Sequence, residues 1–140
     1  MLIKKYTISF YNDLVTVWKS YGWETPVPHY LLPDGYVALT DKGTFIAAYF
    51  MYIAPGKGAL LAWPVYVIKC TKKQKKEAFE KIIAKLKDDA NKAEVFMMYA
   101  FSKDKHFKEI LLENKIPVAE EYITSFALNL DDGESSFVRD

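Results

Sequence analysis

The chain has 140 residues, of which 51% are apolar and 16% aromatic, so it can bury the core of one domain and is not a disordered segment. A net charge of +1 excludes a strong overall attraction to nucleic acid, and the single cysteine, Cys70, excludes an intrachain disulfide and a paired-cysteine zinc site. No apolar run reaches the roughly 18 residues of a membrane helix, and residues 1–6 lack the apolar core segment of a signal peptide. We therefore expect a cytoplasmic protein without a membrane, nucleic-acid or metal partner.

The first half of the chain predicts a strand, a helix and then three strands. An apolar segment at residues 2–8 indicates the first strand, and Asn12 and Asp13 can start a helix with one apolar face. Prolines within residues 25–28 end that helix. The three further strands are expected at Gly35 to Thr40, Thr44 to Ile53 and Ala59 to Ile68. Because the turns between them are tight, these strands should form an antiparallel meander.

The second half begins with the clearest helix of the sequence. Thr71 stands three residues before Gln74, which is a capping-box pattern, and apolar residues recur at helical spacing from Ala78 to Ala90. The run Val95 to Phe101 is apolar at nearly every position, as is typical of a strand covered on both faces.

A shorter helix and a last strand should follow. Ser102 can cap a helix that carries Phe107, Ile110 and Leu111 on one face. Tyr122 to Leu130 alternates as a final strand, and residues 131–140 form a polar tail. The predicted order is strand, helix, three strands, helix, strand, helix, strand.

Pro64 lies inside an apolar strand and cannot donate a hydrogen bond to a neighbouring strand. We expect a bulge or a local parting of strands there, which would open a ligand site. The alternative is a proline on an edge strand with no ligand beside it.

Four lysines crowd the first turns of the second helix: Lys72, Lys73, Lys75 and Lys76, here called the basic cluster. They oppose the helix dipole, whose positive end lies at the N-terminus. Repeated violation of a local rule often marks a ligand site, and a helix N-terminus binds anions such as a pyrophosphate. The alternative is a solvated basic surface.

The element order resembles that of the GNAT N-acetyltransferase superfamily over about residues 2–130. The motifs resemble in particular those of small divergent GNAT-like proteins encoded by bacteriophages. Those proteins show P-x-G-x-x-A-x-x-D, here Pro33 to Asp41, then a strand with a tryptophan, here Ala62 to Val67, and a basic helix, here Thr71 to Ala78. The resemblance implies an α+β fold with a mixed central sheet and flanking helices, a single domain at residues 1–130 and a tail at 131–140.

The resemblance also implies a cofactor and a reaction. The cofactor would be acetyl-CoA, and the acceptor an unidentified amine of a small molecule or a protein. Tyr66, Val67 and Ile68 would offer backbone groups to the pantetheine arm, and the basic cluster would hold the pyrophosphate. A homodimer, and location in a host cytoplasm or a virion, would fit such a protein.

The sequence departs from the family pattern at two places. Active members carry a glycine-containing loop where residues 71–78 contain no glycine, and many place a tyrosine where this chain has Leu111 or Leu112. For the general base, the candidates are Glu24 and His29, in the segment that would border the acceptor cleft. The alternative function is a catalytically inactive GNAT-like virion or interaction protein.

Overall fold

The computed structural model describes residues 1–24, 26–102 and 104–119, and the predicted last strand (122–130) and tail (131–140) lie outside that part. Its elements are β1 (Leu2–Lys5), a 3-10 turn (Ile8–Phe10), α1 (Tyr11–Ser20), a second 3-10 turn (His29–Leu31), β2 (Gly35–Leu39), β3 (Phe45–Ile53), β4 (Gly58–Tyr66), α2 (Lys72–Lys92), β5 (Met97–Ala100) and α3 (Lys105–Glu113). The predicted order of elements is confirmed as far as α3.

The five strands form one sheet in the order β1-β2-β3-β4-β5. The pairs β1-β2, β2-β3 and β3-β4 are antiparallel, and β5 runs parallel to β4. The meander is therefore confirmed, and α2 is the crossover that a parallel pair requires. The domain is an α+β fold with a mixed sheet, as predicted.

Two apolar cores lie on opposite faces of the sheet. Successive side chains of a strand point to opposite faces, so Tyr49 of β3 packs with α2 and α3, whereas Phe50 packs with α1. On the first face, the rings of Phe79 and Phe107 lie 4.9 Å apart. On the second face, Trp18 of α1 is almost completely buried. β3 is thus the centre of both cores.

Local hydrogen bonds set the helix starts. The capping box at α2 is confirmed, because Thr71 accepts from the Gln74 N–H and Gln74 accepts from the Thr71 N–H. The helix α1 begins at Tyr11 without a side-chain cap, so the predicted start at Asn12 or Asp13 is wrong by one or two residues.

The predicted cap of α3 is also wrong. Asp104 is the cap, since its Oδ1 accepts from the Phe107 N–H at 3.0 Å. Ser102 instead accepts from the N–H of Asp104 at 3.1 Å, and so it orders the loop before the cap.

The prediction that the fifth strand is buried on both faces is wrong. Met97 and Tyr99 are exposed, whereas Met98 and Ala100 pack against the core under α2. Among the described strands β5 is last in the sheet and pairs only with β4. An apolar run therefore indicates burial less reliably at the side of a sheet than at its centre.

Candidate active site at the open edge of β4

β4 continues beyond the end of its parallel partner. Their pairing runs from Gly58 opposite Met97 to Leu61 opposite Ala100. Within the described chain, no strand pairs with residues 62–66 of β4 on that side, and we call this stretch the open edge. Unpaired strand edges present N–H and C=O groups to any extended ligand.

A bulge starts the open edge. Across β3 and β4 the register moves by one extra residue between the pairs Phe50–Ala62 and Ala48–Val65. Trp63, inside the bulge, has a φ of 56°, which is uncommon for a bulky residue. Its indole N–H donates to the hydroxyl of Tyr52 at 2.9 Å. The irregularity predicted from Pro64 is therefore confirmed.

Backbone hydrogen bonds decide which residues face the open edge. The N–H of Val67 donates to Ile46 O at 2.9 Å, and its carbonyl accepts from Cys70 at 3.1 Å. Because neighbouring residues of a strand direct their backbone groups to opposite sides, Tyr66 directs its N–H and C=O toward the open edge. Its carbonyl accepts from the hydroxyl of Tyr21. Ile68 is exposed in the turn that follows.

The side chain of Tyr66 crosses to the start of α3. Its hydroxyl donates to Asp104 Oδ2 at 2.9 Å, and Lys75 Nζ lies 3.2 Å from the same oxygen. Lys75 Nζ also lies 3.8 Å from the centroid of the Tyr66 ring, a cation–π distance. Burial disfavours the charged form of Asp104, but the donors Phe107 N–H, Tyr66 and Lys75 together lower its pKa.

The structure divides the basic cluster into two parts. Lys75 is only 7% exposed, and Lys76 Nζ lies 2.8 Å from Glu113 Oε2. Lys72 and Lys73 are exposed, and no acidic side chain of the described residues pairs with either. These two lysines stand in the first turn of α2, directly after the turn that ends the open edge.

The two candidate bases lie elsewhere. His29 Nδ1 lies 2.7 Å from the hydroxyl of Tyr6, and the His29 ring contacts the rings of Tyr6 and Tyr11, each at 5.7 Å. Glu24 is exposed near the end of α1. In the described structure no hydrogen bond or ring contact joins either residue to the open edge.

Three features of the site were missed in the sequence: the contact of Tyr21, the position of Asp104 and the burial of Lys75. Lys75 had a signal, because it stands three and four residues before Ala78 and Phe79 on the apolar face of α2. Asp104 also had a sequence signal, because it is a residue type that caps helices and stands three residues before the apolar Phe107. Tyr21 had none, because its partner is 45 residues away along the chain.

A cavity of about 820 Å³ lies at the opposite end of the sheet, near the last turns of α2, and is lined by residues such as Asp34, Asp89 and Lys92. In residues 1–24, 26–102 and 104–119, no His, Cys, Asp and Glu side chains gather as a metal site would require. Within the same ranges, no helix has the length and apolar character that crossing a membrane needs. In the described chain, the open edge is the place where unpaired strand groups adjoin the exposed Lys72 and Lys73.

Comparison with solved structures bears on the fold. No protein-family model and no curated protein matches the sequence. A probable acetyltransferase superposes with a TM-score of 0.68 at 11% identity, covering 93% of this chain and 98% of that one. An aminoglycoside acetyltransferase from an uncultured soil metagenomic sample gives 0.66 at 13%, covering 92% and 95%. Glucosamine-6-phosphate N-acetyltransferase from Arabidopsis thaliana gives 0.66 at 11%, covering 89% and 97%. The chain therefore has the fold of the GNAT acetyltransferases.

Proposed function

We propose that this protein is an acetyl-CoA-dependent N-acetyltransferase of a divergent type, similar to those of phages, which transfers acetyl to an amine. One observation carries the proposal: the open edge of β4 ends beside the N-terminus of α2, where Lys72 and Lys73 are free of acidic partners in the described structure. An extended amide chain and a pyrophosphate, the two parts of coenzyme A, need these two kinds of site.

The residues present fit this ligand. Tyr66 directs a backbone N–H and C=O at the open edge, which suits the amides of a pantetheine arm. The N–H groups of Lys72 and Lys73 have no acceptor in the described chain, because the capping box serves Thr71 and Gln74. Acetyl-CoA, when bound, supplies the activated acetyl group. The chain supplies orientation and charge.

The acceptor amine must lose a proton before or during the transfer. Asp104, the carboxylate beside the open edge, already accepts from Phe107, Tyr66 and Lys75 and is poorly suited as a base. Glu24 and His29 therefore remain the proposed candidates for the general base. Either residue would take the proton of the acceptor amine through an ordered water.

An inactive GNAT-like protein is the second candidate function. Three observations favour it. Residues 71–78 contain no glycine, and the hydroxyl of Tyr21 donates to the carbonyl of Tyr66. Neither Leu111, which is buried, nor Leu112, which is exposed, offers a proton donor in place of the tyrosine of many GNAT enzymes. Such a protein would keep the fold and bind no acetyl-CoA.

Calorimetric titration with acetyl-CoA separates the two functions. Native protein should bind, and the variant Lys72→Ala/Lys73→Ala should bind at least about tenfold more weakly, since it loses two charge-assisted contacts. The matched control is Lys4→Ala/Lys85→Ala, which removes the same charge from two exposed lysines outside the site. Absence of binding by native protein at millimolar acetyl-CoA would contradict the enzyme and favour the inactive protein.

A further inference from the structure

Tyr21 joins two distant parts of the chain at the open edge. It follows the last residue of α1, and its hydroxyl donates to the carbonyl of Tyr66 in β4. Its ring also contacts the ring of Tyr66, with centroids 5.8 Å apart, and the ring of Trp23 at 6.4 Å. Tyr21 therefore covers the open edge from the side of α1.

The contact uses a group that an extended ligand needs. A ligand that pairs with a strand edge takes alternate N–H and C=O groups of that strand. Within residues 65–67, Tyr66 alone turns both groups toward the open edge, since those of Val67 are bonded to Ile46 and Cys70. With Tyr21 in place, its hydroxyl occupies one lone pair of the Tyr66 carbonyl and competes with a ligand amide for that oxygen.

We propose that Tyr21 blocks the open edge in the free protein and lowers its affinity for acetyl-CoA, because its hydroxyl and ring lie against Tyr66 on the side where the pantetheine arm would bind. The inference rests on the proposed function. It adds a residue that determines cofactor affinity.

The surroundings of Tyr21 allow this movement. Tyr21 is 36% exposed and does not belong to the buried core, so its ring can turn into solvent without opening that core. Gly22 follows with a φ of +81°, and nothing lies within 4 Å of where its Cβ would be. Burial is the main cause that raises the pKa of Tyr21, and the nearby Tyr66 is the second. The hydroxyl of Tyr21 therefore stays protonated and remains a hydrogen-bond donor.

The test compares two substitutions that each remove one phenol-to-carbonyl hydrogen bond. Tyr21→Phe removes the bond to Tyr66, and Tyr11→Phe removes the bond from Tyr11 to Val27 O at 2.9 Å, away from the open edge. Calorimetry should show that Tyr21→Phe binds acetyl-CoA about two- to tenfold more tightly than native protein, the factor that one net hydrogen bond corresponds to. Tyr11→Phe should bind like native protein.

The outcomes separate this inference from the proposed function. If no variant binds acetyl-CoA, both fail. If native protein binds and Tyr21→Phe binds equally or more weakly, Tyr21 does not block the edge, although the proposed function stands. If a variant folds poorly, NMR of native protein with ring-labelled tyrosine tests the inference instead. Saturating acetyl-CoA should shift the signals of Tyr21 and leave those of Tyr11 in place. Unchanged Tyr21 signals on binding would overturn the inference.

Discussion

Lys75 Nζ lies 3.2 Å from Asp104 Oδ2, and this ion pair joins the first turn of α2 to the N-cap residue of α3. Lys75 is the one buried charged residue of the described chain, whereas the side chain of Asp104 is 35% exposed. The pair also holds the hydroxyl of Tyr66, so it connects the helices to the open edge of β4. Partial exposure of Asp104 limits the desolvation that such a pair must offset.

We expect Lys75→Met to destabilise the fold. The substitution keeps most of the buried aliphatic volume but removes the ammonium from Asp104 and from the face of the Tyr66 ring. Breaking a fully buried pair costs about 3–5 kcal/mol, and the exposure of Asp104 reduces this to about 1–3 kcal/mol in the free energy of unfolding. Urea unfolding followed by circular dichroism measures the change.

The control for this prediction is Lys76→Met. Lys76 pairs with Glu113 at 2.8 Å, but about half of each side chain is exposed, so this pair should contribute little. Equal losses in the two variants would show that burial of the Lys75 pair does not matter.

Asp104 should make the stability of the protein depend on pH in the acid range. Burial opposes its ionisation, but the donors around it lower its pKa below that of the unfolded chain. The unfolded state therefore binds the proton more readily than the folded state. The stabilisation of the fold by ionised Asp104 is fully present above about pH 4 and is lost as the pH falls through the lowered pKa.

The measurement is the free energy of unfolding of native protein and of Asp104→Asn across the acid range. The variant should be less stable at neutral pH, and the difference from native protein should shrink below about pH 4. Tyr66→Phe, which removes one of the donors, should show part of the same effect. A difference that stays constant with pH would contradict this account.

Gly35 should not tolerate a side chain. A Cβ on Gly35 would lie 2.5 Å from Phe50 Cδ1 and 2.5 Å from the backbone oxygen of Tyr49. Because Phe50 is completely buried and the carbonyl belongs to the central strand, neither can move freely. We expect Gly35→Ala to lower the free energy of unfolding by about 1–3 kcal/mol, as overpacking does.

Gly56→Ala is the matched control, since its Cβ would meet nothing within 4 Å. Thermal unfolding of the two variants gives the comparison. A Gly35→Ala protein as stable as Gly56→Ala would mean that β2 and β3 separate more easily than their packing indicates.

Much of the fold could be predicted from the sequence because its signals are local. The capping box needs only Thr71 and Gln74, three residues apart, and the hairpin turn needs only Gly43, whose φ is +86°. The bulge followed from Pro64, which lacks an N–H wherever it stands. The wrong predictions concern ends and edges: the caps of α1 and α3, and the exposed face of β5.

The features of the site also separate into those that depend on local sequence and those that depend on tertiary contacts. The sequence by itself determined that cations stand at the start of α2 and that β4 is irregular at Pro64, because each depends on residue type and local spacing. The tertiary structure alone decided that Lys75 pairs with Asp104, 29 residues away. It also decided that Tyr21 reaches Tyr66 across 45 residues. Such contacts depend on how helices pack on a sheet, and helical periodicity does not specify which residues of distant elements meet.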